Sequence, residues 1–289
     1  MPDPLRPLGA EIIVRPSSLS DAADCMRRFA ARHLQDLLAS AGYALRRRPP
    51  SVHIGAAVGT GMHAFAHTTL APRLVGEPLA PVAQAEEQAI AAFRAEAEGT
   101  VEWDNITGTA NDAEKQIRRM GKAWRNVRAE EIVPVQIEER IEADAADGIV
   151  LSGQPDLVED RGAFMRLTDM KSNKVRRSPH LQLGAYALLL RSIDMPVGEV
   201  AMDHIPRVKL SDPQPDPALV QMDLRAAIED AHTALQNIER CVTEFEKRAA
   251  NPRGLSPISA FPPNPGSMLC NERFCPAWGT DACRAHLNT

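Results

Sequence analysis

The stretch that most constrains this chain runs from Gly153 to Tyr186. A Pro155-Asp156 pair, an Asp169-Met170-Lys171 triplet and a Gln182/Tyr186 pair follow one another there. Residues 149–159 and 163–171 are rich in apolar side chains and flank Asp160-Arg161-Gly162, a sequence suited to a tight turn, so the segment predicts a β-hairpin. Side chains alternate between faces along a strand, which puts Asp169 and Lys171 on one face. A hairpin folded about positions 161–162 sets Asp156 opposite Leu167 and makes Asp169 its diagonal neighbour. A basic loop with Lys174, Arg176 and Arg177 comes next, then a helix to about Arg191 on which Gln182 and Tyr186 lie one turn apart.

Two carboxylates and an ammonium on one face make chemical sense around a hard cation. Mg²⁺ and Mn²⁺ take a few carboxylate oxygens and keep other positions for water and substrate. Such an ion lowers the pKa of its water and offsets charge building on a phosphoryl oxygen. A D-x-K triplet alone fits a surface ion pair better, worth at most about 1 kcal/mol. Its surroundings decide the matter.

Gly153–Asp156, Asp169–Lys171 and the Gln182-x-x-x-Tyr186 helix together resemble the RecB-like branch of the PD-(D/E)XK nuclease superfamily. The resemblance implies an α/β fold with a restriction-endonuclease-like core, a small mixed sheet flanked by helices. It implies a metal-dependent phosphodiesterase acting on DNA, with Asp156 and Asp169 as ligands of Mg²⁺ or Mn²⁺ and Lys171 as catalytic lysine. Gln182 and Tyr186 then position the lysine and the DNA. Upstream, Gly59 and His63 resemble the family's G-x-x-x-H element, which implies His63 as a further metal ligand. His67 is one turn on, but no glutamate lies between the two as an H-E-x-x-H zinc site needs.

Along the rest of the chain, residues 17–40 predict a capped helix with Cys25 one turn inside, followed by Arg27, Arg28 and Phe29. Arg46-Arg47-Arg48 before Pro49-Pro50 reads as a solvated loop. Residues 82–99 predict an outer helix. Residues 113–130 predict another, with Lys115, Arg118, Arg119, Lys122 and Arg125 along one face, read equally as a solvated stripe or a wall for a DNA backbone. Residues 132–143 predict the first core strand, with Glu138 and Glu139 near the site but assigned no role. Residues 198–209 predict a later strand carrying His204 as a sheet residue. A long helix is expected over 217–250 with Cys241 in its apolar stripe, and then a structureless, proline-rich segment over 251–265.

That segment leads to Cys270, Cys275 and Cys283, spaced C-x4-C-x7-C. A tail this short has no core of its own, so a metal would supply its folding energy. Zinc takes four ligands and His286 offers the fourth; an iron-sulfur cluster takes four thiolates and Cys25 offers the fourth. The arrangement resembles the iron-sulfur members of the RecB-like branch, which include AddB-type, CRISPR-associated and phage exonuclease-like proteins. The resemblance implies a 4Fe-4S cluster held by Cys25, Cys270, Cys275 and Cys283, mainly structural in role.

With 289 residues, 44% hydrophobic and 25% charged, the chain has the make-up of an ordinary soluble globular protein able to bury a sizeable core. The expected organisation is an N-terminal helical section (1–130), a nuclease core (131–210) and a long helix with a cysteine-tethered tail (211–289), packed as one domain. A net charge of −5 neither supports nor excludes a DNA substrate, because a channel needs only local positive potential. No apolar run suits a bilayer and the first residues do not read as a secretory signal, so a cytoplasmic protein without membrane contact is expected. The function expected is a metal-dependent DNA exonuclease acting on single strands or ends, in recombination, repair or phage DNA metabolism. The rival readings are a catalytically idle DNA-binding scaffold and the nuclease subunit of a helicase–nuclease complex. The chain has no P-loop, so a helicase or other replication or repair partner would bring the motor.

Overall fold

The computed structural model describes residues 11–47, 51–173, 178–251 and 253–284. Arg48, Pro49 and Pro50, the basic loop residues Lys174, Arg176 and Arg177, the zinc-ligand candidate His286 and the first ten residues lie outside the described residues.

The first elements among the described residues are strand β1 (Ile12–Val14) and three short helices, α1 (Leu19–Asp24), α2 (Met26–His33) and α3 (Gln35–Ser40). Then come β2 (Ser51–His53), the helices α4 (Ile54–Leu70) and α5 (Val82–Glu96), β3 (Thr100–Glu102) and α6 (Ala110–Val127). Five strands follow: β4 (Pro134–Ile137), β5 (Ile141–Ala146), β6 (Ile149–Gly153), β7 (Leu157–Asp160) and β8 (Met165–Lys171). The remainder is α7 (His180–Ser192), β9 (Glu199–His204), β10 (Ala218–Met222), α8 (Leu224–Ala249) and the tail.

The central sheet has the order β10-β9-β8-β7-β4, with β8 and β9 parallel and the other pairs antiparallel. A second sheet, β1-β6-β5, packs beside it, and β2 pairs with β3 alone. Alternation along the strands feeds two cores. Val158, Leu167 and Val200 join a cluster with α2, α7, α8 and the tail, whereas Leu157 and Met170 join one with α4, α5 and α6.

Several elements depart from the sequence expectation, each for a local reason. The predicted strand 149–159 is two strands in two sheets: β6 pairs with β1 and β5, whereas β7 pairs with β4 and β8. Pro155 lies at the break, where it donates no ladder hydrogen bond. The hairpin turn forms with Gly162 at φ 80°, but Val158, not Asp156, faces Leu167. The strand expected over 132–143 also divides, at Glu138, whose φ of 48° turns the chain from β4 into β5.

The helix expected over 17–40 breaks at Cys25, which is extended (φ −154°, ψ 104°) and caps α2 by accepting the Arg28 N–H at its sulfur. The start of the predicted 217–250 helix is instead β10, paired with β9. α8 begins only after Asp223, whose carboxylate accepts the Ala226 N–H. The proline-rich segment is docked, not structureless. Arg27 donates to the carbonyls of Ile258, Phe261 and Ala282, and Ile258, Ala260 and Phe261 are buried.

The basic stripe of α6 is largely spent on the fold. Arg118 and Lys122 both pair with Glu86 of α5, and Arg119 donates to four carbonyls between Val208 and Asp212. Arg46 likewise is no free loop cation, since it pairs with Glu272 and lies over the Trp278 ring.

Candidate active site

Asp169 and Lys171 project from the C-terminal end of β8, the middle strand of the central sheet. Asp169 is fully buried, and Lys171 Nζ lies 2.9 Å from its Oδ1 and 2.7 Å from its Oδ2. The spacing of two along the strand makes this pair. On the other side, Lys171 Nζ donates to Gln182 Oε1 at 3.4 Å, and Gln182 Nε2 donates to the Tyr186 hydroxyl at 3.4 Å. Both come from the same face of α7, so the lysine is held between a strand carboxylate and a helix amide.

Asp156 stands just before β7. Its Oδ2 accepts the backbone N–H of Met170 at 2.7 Å, which fixes the carboxylate beside β8 even though Pro155 has interrupted the strand. Its Oδ1 is 3.6 Å from His63 Nδ1, and Glu138 Oε1 is 3.3 Å from the same nitrogen. The sequence-derived candidates Asp156, Asp169, Lys171, Gln182, Tyr186 and His63 thus meet at one place. Glu138 joins them from the turn between β4 and β5 and is the site residue that sequence reasoning left without a role. Glu139, next to it, has no such contact with His63.

Electrostatics tie the groups together. Burial, then the neighbouring Asp156 charge, pushes the Asp169 carboxyl up, against the pull of Lys171. Burial works against a charge on His63, but Asp156, Glu138 and Asp169 outweigh it and push the imidazole up to about 9. Burial also pushes the Tyr186 hydroxyl up to about 12. Glu138 is lowered first by its hydrogen bond to His63. The pattern is one of negative charge in excess of the protein's own cations, crowded into a buried corner.

Among the described residues, no group of three or more His, Cys, Asp or Glu side chains forms a ready-made metal cage. Each carboxylate is instead tied to Lys171, His63 or a backbone N–H. The donor set nonetheless suits a hard divalent cation, because two adjacent carboxylates, one of them fully buried, repel each other until a cation lies between them. A second cysteine-bearing corner lies at the start of α2. The Cys25 sulfur accepts N–H groups from Arg28 at 3.4 Å and from Asn264 at 3.3 Å. Burial raises the Cys270 and Cys275 thiols, and both also feel Cys283 and Cys25, so one cysteine from the N-terminal helices and three from the tail share a neighbourhood. Cys241 sits apart from them in the apolar face of α8, as its helical spacing indicated.

The sequence pattern of the PD-(D/E)XK nuclease superfamily matches residues 14–283, nearly the whole chain. The chain belongs to the PD-(D/E)XK nuclease superfamily. Its mixed sheet flanked by helices is the restriction-endonuclease-like fold of that superfamily. Among solved structures, one from Eubacterium rectale, provisionally named an exonuclease, is similar with a TM-score of 0.51 at 10% identity. The likeness covers 83% of this chain and 82% of that one. A second, SSO0001, is 10% identical over 70% of this chain and 85% of that one, but its TM-score of 0.26 is too low to equate the folds. No curated protein matches. No helix among the described residues is long and apolar enough to cross a membrane.

Proposed function

We propose that this nuclease is a divalent-metal-dependent deoxyribonuclease of the RecB-like branch, acting as an exonuclease on single strands or DNA ends. The observation that carries the reading is the meeting of Asp156, of Asp169 and Lys171 on β8, and of His63 on α4 around an under-neutralised pair of carboxylates, one of them fully buried. Asp156 and Asp169 would hold Mg²⁺ or Mn²⁺, and His63 would add a nitrogen ligand suited to Mn²⁺. Such an ion supplies an acidified water and offsets charge on the phosphoryl oxygens.

The chain's own groups do the rest. Lys171 orients the attacking water and offsets charge on the phosphoryl oxygens. Gln182 gives Lys171 a second polar partner besides Asp169, and Tyr186, un-ionised at any ordinary pH, backs the Gln182 amide. Glu138 would hold the His63 ring in place through Nδ1, the nitrogen that also faces Asp156.

We read the cysteine corner as a structural 4Fe-4S site held by Cys25, Cys270, Cys275 and Cys283, with zinc as the alternative. Two backbone N–H groups reach the Cys25 sulfur, the kind of hydrogen bond that a cluster-bound sulfur accepts.

Digestion of end-labelled and internally labelled DNA by the isolated chain, with and without EDTA, tests the function. Stepwise shortening from an end, abolished by EDTA, is expected, and it would make a helicase partner unnecessary for the chemistry. Internal cuts would replace the exonuclease reading with an endonuclease. Tight DNA binding without cleavage, unchanged by Asp169→Ala, would favour the scaffold.

A further inference from the structure

Two large aromatic side chains are left exposed near the start of α4. Trp103, just after β3, is 43% exposed, and Phe274 in the tail is 42% exposed. Neither contributes to a core cluster. Arg273 links their two segments. Its guanidinium is 3.7 Å from Glu102, the neighbour of Trp103, and lies 5.4 Å from the Phe274 ring centroid. An exposed ring beside a guanidinium is a surface on which unpaired bases stack without regard to sequence, because every base has a π face.

Two segments lead from these residues toward the active site. Glu102 pairs with His53, the residue that caps α4, and His63 lies nine residues along the same helix from Ile54, about 14 Å at 1.5 Å per residue. Between them the solvent-facing positions of α4 are Ala56, Gly59 and Thr60, and these line a cavity of about 420 Å³ that ends at His63 and Glu138. A Cβ on Gly59 would meet only the Ser172 hydroxyl, at an ordinary 3.5 Å, so packing does not demand glycine there. Along the second, Leu269 of the same tail lines the larger cavity, of about 850 Å³, that contains Lys171 and Gln182.

We propose that Trp103, Arg273 and Phe274 form a stacking platform that selects unpaired DNA and feeds a single strand along α4 to the carboxylates. This rests on the nuclease reading for its destination, but binding to the platform is independent of catalysis. Glu102 faces Arg273 and keeps the patch from being a plain phosphate site, which favours bases over backbone as its ligand.

The test is fluorescence anisotropy of labelled oligothymidine with the full chain in EDTA, so that no hydrolysis intervenes. Loss of one stack weakens single-strand binding at least about fivefold. Trp103→Ala and Phe274→Ala should each show that loss, Phe274→Tyr should bind like the parent, and affinity for a duplex of equal length should not move. Equal loss on duplex and single strand, or no loss at all, overturns the platform. Should Trp103→Ala fail to fold, Phe274→Ala decides alone, since its ring is at the surface. A parent protein that cleaves duplex but does not bind oligothymidine also overturns the platform while the nuclease reading stands. One that binds oligothymidine but cleaves nothing sinks the nuclease reading and leaves the platform.

Discussion

At the residue scale the decisive contacts are short and few. Glu138 meets His63 through its carboxylate and Asp156 through a backbone N–H to the Asp156 carbonyl, and so fixes the ring beside the carboxylates. Outer partners of metal-bound histidines are worth about 10- to 100-fold in metal affinity or activity. Glu138→Ala should therefore weaken Mn²⁺ binding by at least about tenfold in a calorimetric titration, with the melting temperature little changed. Unaltered binding would remove Glu138 from the site. A different acid, Asp104, holds the fold: Arg207, 3% exposed, pairs with it, and the Ile106 and Thr107 N–H groups cap it at 2.9 Å. Burial opposes the charge, but Arg207 and those N–H groups keep the carboxyl well below the usual carboxylate range. A depressed pKa contributes stability that is complete above the unfolded-state value of 3.8 and fades as pH falls below it. Acid unfolding of Asp104→Asn should accordingly lose part of the parent's slope below about pH 4, and Asp104→Ala should cost about 3–5 kcal/mol at neutral pH by stranding buried Arg207. The residues legible in the sequence were those whose geometry is local. Asp169 and Lys171 share a strand face by alternation, and Gln182 and Tyr186 share a helix face by a spacing of four. Glu138 was legible as an acid near the site but its role was not, because its contact with His63 depends on a left-handed turn between two sheets that no neighbouring glycine announces.

At the element scale, short breaks decide what the sequence periodicity leaves open. Apolar alternation runs through Pro155 and through Glu138, so both halves look like single strands, and only the pairing partners divide them. Register followed the same error: Asp156 reaches β8 by accepting the Met170 N–H, not by facing Leu167. The cationic face of α6 illustrates the opposite limit. Its spacing is that of a DNA wall, but Glu86 and the carbonyls after β9 take up Arg118, Arg119 and Lys122, which composition could not foretell. The tightest packing lies between α7, which carries Gln182 and Tyr186, and α8. A Cβ on Gly184 would run into the Ala227 carbonyl and approach Ala231 Cβ to 3.0 Å. Gly184→Ala should push the helices apart and destabilise by about 1–3 kcal/mol, read as a lower melting temperature. A parallel loss of activity should follow, because Gln182 moves with α7. A variant as stable as the parent would mean that α8 yields at no cost.

At the scale of the whole molecule, the first helices and the last residues are held together across almost the entire chain. Arg27 bonds three tail carbonyls, and Arg28, 2% exposed, pairs with Asp21 and Asp24 and donates to Ser267. A cluster on Cys25, Cys270, Cys275 and Cys283 would add a covalent closure of nearly the full length, which constrains the unfolded state most when the loop is long. Cys275→Ser should therefore lower the melting temperature of anaerobically purified protein and bleach its visible absorbance while DNA digestion persists at lower temperature. Unchanged stability and absorbance would dismiss the cluster. These long-range bonds, like the docking of the proline-rich segment, lay beyond a reading by local pattern, whereas the motif order was enough to carry the family resemblance that implied the fold class. The account stands or falls on the corner where β8, α4 and α7 meet. The most direct measurement is a DNA digestion time course for the parent chain beside Lys171→Ala, each in Mg²⁺, Mn²⁺ and EDTA. The account predicts degradation by the parent in either metal, none in EDTA, and a loss of at least about a hundredfold in Lys171→Ala. Equal, metal-independent digestion by both proteins would contradict it.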